Sequence, residues 1–545
     1  VLVDTEPRRP IVWSIAGNDS GGGAGLSADQ RAAEAFGAHL CPVVVAVTAQ
    51  NSVGVTRVEP VAPDLLEAQL AALFDDMPPA AVKTGLLGSA DNVVRVARWI
   101  DRLRAHDPRV ALVVDPVLGA STGAAFADEA VLRAYVEWLL PRATIVTPNE
   151  REARRLAATS PADLAVSSLA AIAQGLRAAG AQAVAITGGD DHASHGLSLD
   201  WIDTGHASGW LALPRIDTPH SHGTGCTFAT SAACALALGF VPADALVLAK
   251  MATTQALRHG HAAGQGAGPV AARAGFAGDP ALLPCLSWGD EVISGRCGYS
   301  NDRDGLQVAA AQPDLGIYAI VDSAERVRQV VAAGVRTVQL RIKTPDAPDP
   351  AWHAALRDAV SESLAACRAV GATLVVNDHW RLAAELAAGD TRGLAVHLGQ
   401  EDLLALGATG RADLAASGLP LGISSHSLWE LARARTLAPW YVACGPVWPT
   451  LTKAMPWLPQ GLDNLAWWVH MAGVPVVAIG GILEPEQLSQ AARSGASGVC
   501  VVRGLGDDPA LSLPLWQAAL QAGRADARLP VPRLPHPSLQ AATLH

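Results

Sequence analysis

Cys226 stands in "SHGTGCTFATSAACALALGF", Ser221 to Phe240, directly after two glycines that bracket a threonine. The alanine-rich apolar run behind them predicts a helix. Gly223 and Gly225 would let the backbone approach a ligand closely, and the first free N–H groups of a helix suit a phosphate. A thiol at that point would lie beside the reacting atoms. The plainer reading is a small buried residue, since free cysteine packs like a small hydrophobe. A second glycine loop, Gly17 to Gly25, follows an N-terminal apolar run, and Gln50 follows the next one in "VTAQN". A plain turn would account for the loop alone. The Gln50 amide can pair with both a donor and an acceptor on a heterocycle edge, or it can cap a loop.

The far half carries a different set. In "VQLRIK" Gln339, Arg341 and Lys343 alternate, which puts them on one side of a strand. A barrel core takes an arginine and a lysine only where they meet anions; a solvated edge strand is the alternative. Asn377 and Asp378 close "VVNDHW", and Asp402 closes "HLGQED". Two carboxylates at adjacent strand ends suit Mg²⁺ bound with a diphosphate. Thr450, Thr452 and Lys453 follow in "GPVWPTLTK", and Gly480 and Gly481 in "AIGGI", a place where barrels often bind phosphate.

These residues need elements to position them. Over residues 11–275, short apolar runs (Ile11–Ile15, Val43–Val47, Ala111–Val114, Thr144–Val146, Ala183–Thr187) alternate with helical stretches. That pattern predicts an α/β domain whose central, mostly parallel sheet is covered on both faces. Residues 276–313, rich in Gly, Pro and Asp, read as an interdomain linker, with Leu286–Trp288 able to dock. From 314 to 525 eight strand candidates alternate with helices: Gly316–Val321, Thr337–Ile342, Thr373–Val376, Leu394–Leu398, Leu421–Ser424, Trp440–Ala443, Val476–Ile479 and Gly498–Val502. That is the pattern of a TIM (β/α)8 barrel, with function at the C-terminal strand ends. Residues 526–545 read as a loose proline-rich tail.

Composition bounds the function. The chain has 545 residues, a net charge of −11 and 17% charged residues. The acidic balance argues against general nucleic-acid or membrane-surface binding, though not against a small anionic substrate. Eight cysteines without a CxxC pair indicate neither zinc nor a disulfide framework, which fits a reducing cytoplasm. The opening "VLVDTEPRRP" has no apolar core of the signal-peptide kind. Pro242 and Asp244 interrupt the most apolar stretch, so two buried helices are expected there rather than a membrane span.

Six motifs in order, "AGNDSGGGAG", "AVTAQNSVGV", "VDPVLGASTG", "VTPNEREARRL", "ITGGD" and "HGTGCT", resemble hydroxymethylpyrimidine and hydroxymethylpyrimidine-phosphate kinases of the ribokinase-like superfamily. The resemblance implies a pyrimidine pocket at Gly17, Asp29 and Gln50, with Leu86 as an apolar wall. It implies an anion hole at Gly223, Gly225 and Cys226. Asp115 and Glu152 would organise Mg²⁺ and the triphosphate of ATP, with Thr187, Gly189 and Lys250 on the nucleotide side. The thiol would take the substrate proton or only fit beside the phosphate; a helix N-terminus can lower its pKa.

The second half resembles thiamine-phosphate synthases through "YAIVDS", "VQLRIK", "NDHW", "AVHLGQED", "LGISSHS", "GPVWPTLTK" and "VAIGGI". The resemblance implies Mg²⁺ on Asp378 and Asp402, and a pyrophosphate grip by Gln339, Arg341, Lys343, Asn377 and Lys453. Ser424, Thr450 and Thr452 would meet the pyrimidine and the thiazole phosphate, with Gly480 and Gly481 at the latter's phosphate. The family's last strand ends in a phosphate-binding serine; here Arg503 follows in "GVCVVRGL". Its guanidinium either replaces that ligand or sits on the surface. Together the halves imply a bifunctional enzyme acting on small molecules, possible as a homo-oligomer. The rivals are an active kinase with a vestigial barrel and a non-catalytic sensor of pyrimidine or thiamine phosphate.

Overall fold

The computed structural model describes residues 8–119, 128–159, 168–188, 196–291, 293, 313–450 and 456–540. Two compact units divide the chain, one of Val1–Gly295 with Leu539–His545 and one of Arg296–Ser538.

The first unit is built on a ten-stranded sheet. Its strands are β1 (Ile11–Asn18), β2 (His39–Gln50), β3 (Val55–Pro60), β4 (Ala81–Thr84), β5 (Ala111–Val114), β6 (Ile145–Val146), β7 (Val184–Thr187), β8 (Leu197–Asp203), β9 (Ser208–Pro214) and β10 (Cys285–Leu286). The spatial order is β10-β9-β8-β7-β6-β5-β4-β1-β2-β3. Strands β2, β1, β4, β5, β6 and β7 pair in parallel. β3 and the β8-β9-β10 run add antiparallel edges. The chain order reverses between β1 and β4, which makes their C-terminal ends a topological switch point and opens a crevice there.

Strand alternation sorts the two faces. Trp13, Ile15 and Val82 join an apolar cluster with Leu66, Leu70, Val93 and Val96. The intervening Ser14 and Lys83 point the other way, toward the helices Gly25–Phe36 and Thr224–Ala237. The segment expected as a linker begins inside this unit. Phe276, Leu282, Cys285 and Leu286 are buried, the Phe36 and Phe276 rings lie 4.6 Å apart, and β10 pairs with β9. Gly and Pro density misread it as irregular connection; its few apolar residues are enough to dock it as an edge strand.

The second unit closes eight parallel strands into a barrel: β11 (Gly316–Val321), β12 (Thr337–Leu340), β13 (Thr373–Asn377), β14 (Leu394–Leu398), β15 (Leu421–Ser425), β16 (Tyr441–Cys444), β17 (Val476–Ala478) and β18 (Gly498–Val501). Its interior cluster includes Tyr318, Val375, Tyr441, Val477 and Cys500. The expected loose tail is held against this unit as far as Ser538. Leu529 N–H donates to Arg493 O (3.2 Å), His536 N–H to Asn464 Oδ1 (2.8 Å), and Leu458 N–H to Ser538 O (2.8 Å). Prolines remove donors, but the remaining backbone groups found partners. Among the described residues, no helix is long and apolar enough to cross a membrane.

Candidate active sites

At the β1/β4 switch point, Gly17 ends up beside Leu86. A Cβ on Gly17 would lie 3.3 Å from Leu86 Cδ2, so the absent side chain leaves the leucine as the wall. The loop after β1 is folded around Asp19, whose carboxylate accepts the N–H groups of Gly21, Gly23 and Ala24 at 2.8–3.0 Å. Burial raises the Asp19 pKa, but His222 and these N–H groups outweigh it and hold it below the usual value. Ser20 and Gln50 exchange hydrogen bonds, Ser20 Oγ to Gln50 O at 2.7 Å and Gln50 N–H to Ser20 Oγ at 2.8 Å. The end of β2 is thereby fastened to the glycine loop.

Two helix starts meet over this loop. The helices Gly25–Phe36 and Thr224–Ala237 both begin without a side-chain cap, after Ala24 and Gly223. Gly223 has φ +88°, and a Cβ there would fall 2.2 Å from Gly23 O, so only glycine lets the two loops close. Gly225 has open space where a Cβ would stand. Cys226 is half-buried, and the N–H of Gly25 points to its sulfur. First-turn N–H groups left uncapped are the donors an anion needs.

Below them lies a charge cluster. Lys83 is fully buried, with Nζ 3.0 Å from Asp29 and 3.8 Å from Asp115. Burial opposes its charge, but Asp29, Cys226 and Asp115 hold it above the ordinary lysine range. Burial pushes the Cys226 thiol up to about 12, with Lys83 opposing and Asp29 and Asp115 adding to the rise. The Gly25 N–H at the helix start lowers it, but burial outweighs that, so the thiol is neutral at pH 7. Asp115 is pushed up to about 6 by burial, with Lys83 opposing and Asp29 adding. Glu152 rises to about 7 through burial and Asp115, against the N–H groups of Asn149 and Leu118. It also completes the capping box at Asn149 of the helix Glu150–Ala158.

A magnesium ion fits this arrangement. Asp115 Oδ2 is buried with no hydrogen-bond partner among the described residues. Among those residues, no group of three or more His, Cys, Asp or Glu side chains is placed to hold a metal, but Mg²⁺ commonly takes one or two carboxylates plus phosphate oxygens and water.

Two expected residues sit elsewhere. Asp29 does not line a pocket: it is fully buried, and its oxygens accept from Ser14 (2.6 Å), Thr230 (2.7 Å) and Lys83. Every lone pair that faces a donor is used, so it anchors Lys83 under the site. Lys250 is also buried, with Nζ 2.7 Å from Asp200 and 2.9 Å from Ser198. Asp200 in turn accepts Gly188 N–H at 3.1 Å, so Lys250 is tied through it to the loop after β7. Thr187 ends β7, and its N–H donates to Pro148 O. Gly189 lies outside the described residues.

In the barrel the expected residues gather at the C-terminal strand ends. Asn377 ends β13 and Asp378 follows with φ +65°, uncommon for a non-glycine residue. Such strain recurs at functional sites. Asp402 follows β14 and accepts Gly399 N–H at 3.0 Å. Although Asp378 is exposed, desolvation of its carboxyl and the nearby Asp402 raise its pKa against His379, Arg341 and Asn377. β12 stops at Leu340, so Arg341 and Lys343 stand on the exposed loop beyond it and not on the strand as expected. Gln339 points into the barrel and donates to Tyr318 Oη at 3.1 Å. Ser424 Oγ lies 2.8 Å from His397 Nε2, and His397 Nδ1 lies 2.8 Å from Tyr441 Oη. Burial, then Arg341 and His426, push His397 down to about 4, so it is neutral. Gly480 and Gly481 have φ +94° and +73°; a Cβ on either would strike Pro446 or Trp448. Thr450 is half-buried in the loop after β16. Arg503 is exposed two residues past β18. Thr452 and Lys453 lie outside the described residues.

Lys83, Asp19 and His222 escaped the reading of single residues. A lysine in the four-residue strand "AVKT" looks like a surface charge; only the third dimension pairs it. Asp19 and His222 lay inside quoted motifs, and their types alone gave no role.

A phosphomethylpyrimidine kinase family model matches residues 19–271, and a thiamine monophosphate synthase model matches residues 317–505. A probable thiamine biosynthetic bifunctional enzyme of Oryza sativa subsp. japonica is 32% identical over 515 residues, 92% of this chain and 87% of the relative. A hydroxymethylpyrimidine/phosphomethylpyrimidine kinase of Synechococcus elongatus is 44% identical over 48% of this chain and 96% of its own. A thiamine-phosphate synthase of Rhizobium etli is 44% identical over 38% of this chain and 96% of its own. Both family models and a relative spanning nearly the full length agree in order with the two units, and the chain belongs to the family of bifunctional thiamine-biosynthesis enzymes, kinase first and synthase second.

Proposed function

We propose that the first unit phosphorylates hydroxymethylpyrimidine and its phosphate from ATP, and that the barrel joins the resulting diphosphate to a thiazole phosphate, releasing pyrophosphate. The observation that carries the kinase half is the meeting of two helix starts without side-chain caps at Cys226, beside an Asp115 whose Oδ2 makes no hydrogen bond and only a 3.8 Å ion pair with Lys83. The amides from Gly223 to Cys226 stabilise the transferred phosphoryl group, whose chemistry depends mainly on positioning and charge neutralisation. Lys83 adds a buried positive charge below. Asp115 and Glu152 would hold Mg²⁺, which would neutralise phosphate charge when bound. A neutral thiol is a poor base, so Cys226 contacts and shapes the anion site. Gln50 and Leu86 select the heterocycle.

In the barrel, Asp378 and Asp402 would hold Mg²⁺ on the diphosphate. Arg341, Lys343, Asn377 and Lys453 would grip the leaving pyrophosphate, and Arg503 the thiazole phosphate. Gln339 and Ser424, oriented by Tyr318 and His397, would face the pyrimidine. The bond to pyrophosphate breaks and the thiazole nitrogen bonds to the pyrimidine methylene carbon. The setting is a reducing cytoplasm, where the Cys226 thiol stays free. Mass-spectrometric analysis of products formed from hydroxymethylpyrimidine, ATP and thiazole phosphate tests the reading. A chain that phosphorylates the pyrimidine but never couples it would favour the vestigial-barrel alternative, which the position of Arg503 leaves worth testing.

A further inference from the structure

His222 precedes Gly223 and belongs to neither phosphate hole nor metal site, yet it reaches into the pyrimidine side. Its Nε2 lies 3.1 Å from Asp19 Oδ2 and 3.3 Å from Gln50 Nε2. Its backbone is clamped on both sides, by N–H to Gly268 O (3.1 Å) and by Val270 N–H to its own O (3.0 Å). A Cβ on Gly23 would fall 2.2 Å from His222 Cδ2, so glycine at 23 is what admits the ring.

Counting protons decides how these groups pair. The Asp19 carboxylate can only accept, so the ring must carry its hydrogen on Nε2. A hydrogen on Nδ1 would set an Nε2 lone pair against the carboxylate. Nε2–H has no lone pair left, so an NH₂ of Gln50 would meet it donor to donor, whereas the Gln50 oxygen can share its one hydrogen with Asp19. At the other end, Thr48 Oγ1 lies 3.0 Å from Asn18 O and 3.3 Å from Gln50 Oε1. Its one hydrogen goes to the nearer carbonyl, which leaves only lone pairs for Gln50. Both ends therefore call for the amide to be turned from Nε2 toward His222 and Oε1 toward Thr48, so that the Gln50 oxygen faces His222 and its nitrogen faces Thr48. Which amide atom is which must be assigned from the hydrogen-bond network in this way.

We infer that His222 is a positioning residue that, between Asp19 and Gln50, fixes which way round the Gln50 amide is presented, and so makes the pocket read an amino rather than an oxo heterocycle. This rests on the pyrimidine reading above. In the fixed orientation Gln50 has one oxygen lone pair left on the His222 side and one N–H left on the Thr48 side. A 4-aminopyrimidine edge offers a donor and an acceptor, and matches. A 4-oxopyrimidine edge offers carbonyl oxygen and ring N–H, the reverse, and meets like with like at both atoms. An amide free to turn would accept either edge. A polar group built to receive one pattern and left unpaired by the other is how pockets discriminate strongly.

The test measures binding of 4-amino-5-hydroxymethyl-2-methylpyrimidine and its 4-oxo counterpart to the full chain by calorimetry, with the Michaelis constant for ATP alongside. His222→Phe should cut the preference for the amine at least about tenfold, the ~1.4 kcal/mol of one oriented hydrogen bond, and leave the ATP constant within about twofold. His222→Gln, whose Nε2 can donate to both Asp19 and Gln50, should keep most of the preference. Thr48→Val, which removes the other orienting group, should lower it by a smaller factor and covers the case of a His222→Phe chain that does not fold. An unchanged preference in His222→Phe and Thr48→Val overturns the inference while leaving the substrate reading intact. So does a His222→Gln chain as unselective as His222→Phe. A wild-type chain that binds neither heterocycle overturns the substrate reading and this inference with it.

Discussion

In the first unit the acidic groups are enclosed. Asp115 is 5% exposed and Glu152 half-buried, both titrate upward to about 6 and 7, and a fully buried lysine lies between the carboxylates of Asp29 and Asp115. In the second unit Asp378 and Asp402 are exposed at a barrel mouth, with Arg341 and Lys343 exposed on the adjacent loop. The open sheet addresses phosphate with backbone N–H groups over a buried charge cluster. The barrel addresses it with side-chain charges in water. The first arrangement ties phosphate chemistry to folding stability and to pH near neutrality; the second leaves both nearly independent of the site.

The comparison breaks most visibly at Lys83. Lys83→Met leaves Asp29 buried without its cation, and removing one partner of a buried pair costs about 3–5 kcal/mol. Urea denaturation should show the first unit's transition destabilised by that amount and the barrel's unmoved. No equally damaging single charge removal exists among the exposed barrel residues, where Asp378→Asn should leave stability within about 0.5 kcal/mol. That substitution should instead slow coupling by roughly 100-fold or more, the loss of several kcal/mol of charge stabilisation, with the kinase rate kept. Equal loss of both activities would point to misfolding.

The contrast in legibility follows the same line. All eight barrel strands could be read to within two residues, because each is a short apolar run between helices. In the first unit β3, β4, β8, β9 and β10 went unread. β4 carries a lysine, and the others are antiparallel additions outside the alternation of parallel strands and helices, with only β10 pairing to a partner far along the chain. The glycine loops, Cys226, Gln50 and the carboxylates Asp115, Glu152, Asp378 and Asp402 could be picked out through motif order. What motif order cannot give is pairing: that Asp29 meets Lys83 and Lys250 meets Asp200 is seen only in the structure. Nor could it end β12 at Leu340, since Arg341 and Lys343 continue the alternation beyond the last strand residue.

A third outcome concerns pH. The raised pKa values of Asp115 and Glu152 mean that, without metal, the stability tied to their protonated forms is present at low pH and is lost as pH rises through about 6 and 7. Binding Mg²⁺ requires the ionised forms, so it should stabilise the first unit against heat at pH 8 and hardly at pH 5.5. Calorimetric melts with and without Mg²⁺ check this; equal Mg²⁺ stabilisation at both values would contradict it.

The smallest effect is expected at Cys226. With its thiol held up at about 12, it is protonated at neutral pH and is no general base. Cys226→Ala should lower the kinase turnover by about tenfold or less, whereas loss of a general base costs roughly 10²–10⁴. Steady-state kinetics on the pyrimidine phosphate at pH 7.5 separates the two.

The central claim is that one chain makes a pyrimidine diphosphate in its sheet unit and consumes it in its barrel. The most direct measurement follows thiamine phosphate by mass spectrometry in two reactions with the purified full chain, Mg²⁺ and thiazole phosphate. One contains hydroxymethylpyrimidine and ATP, and the other contains the pyrimidine diphosphate without ATP. Product in both, with the first abolished by Asp115→Asn and the second untouched by it, is the predicted result. Product that still needs ATP when the diphosphate is supplied, or none from the diphosphate at all, would contradict the account.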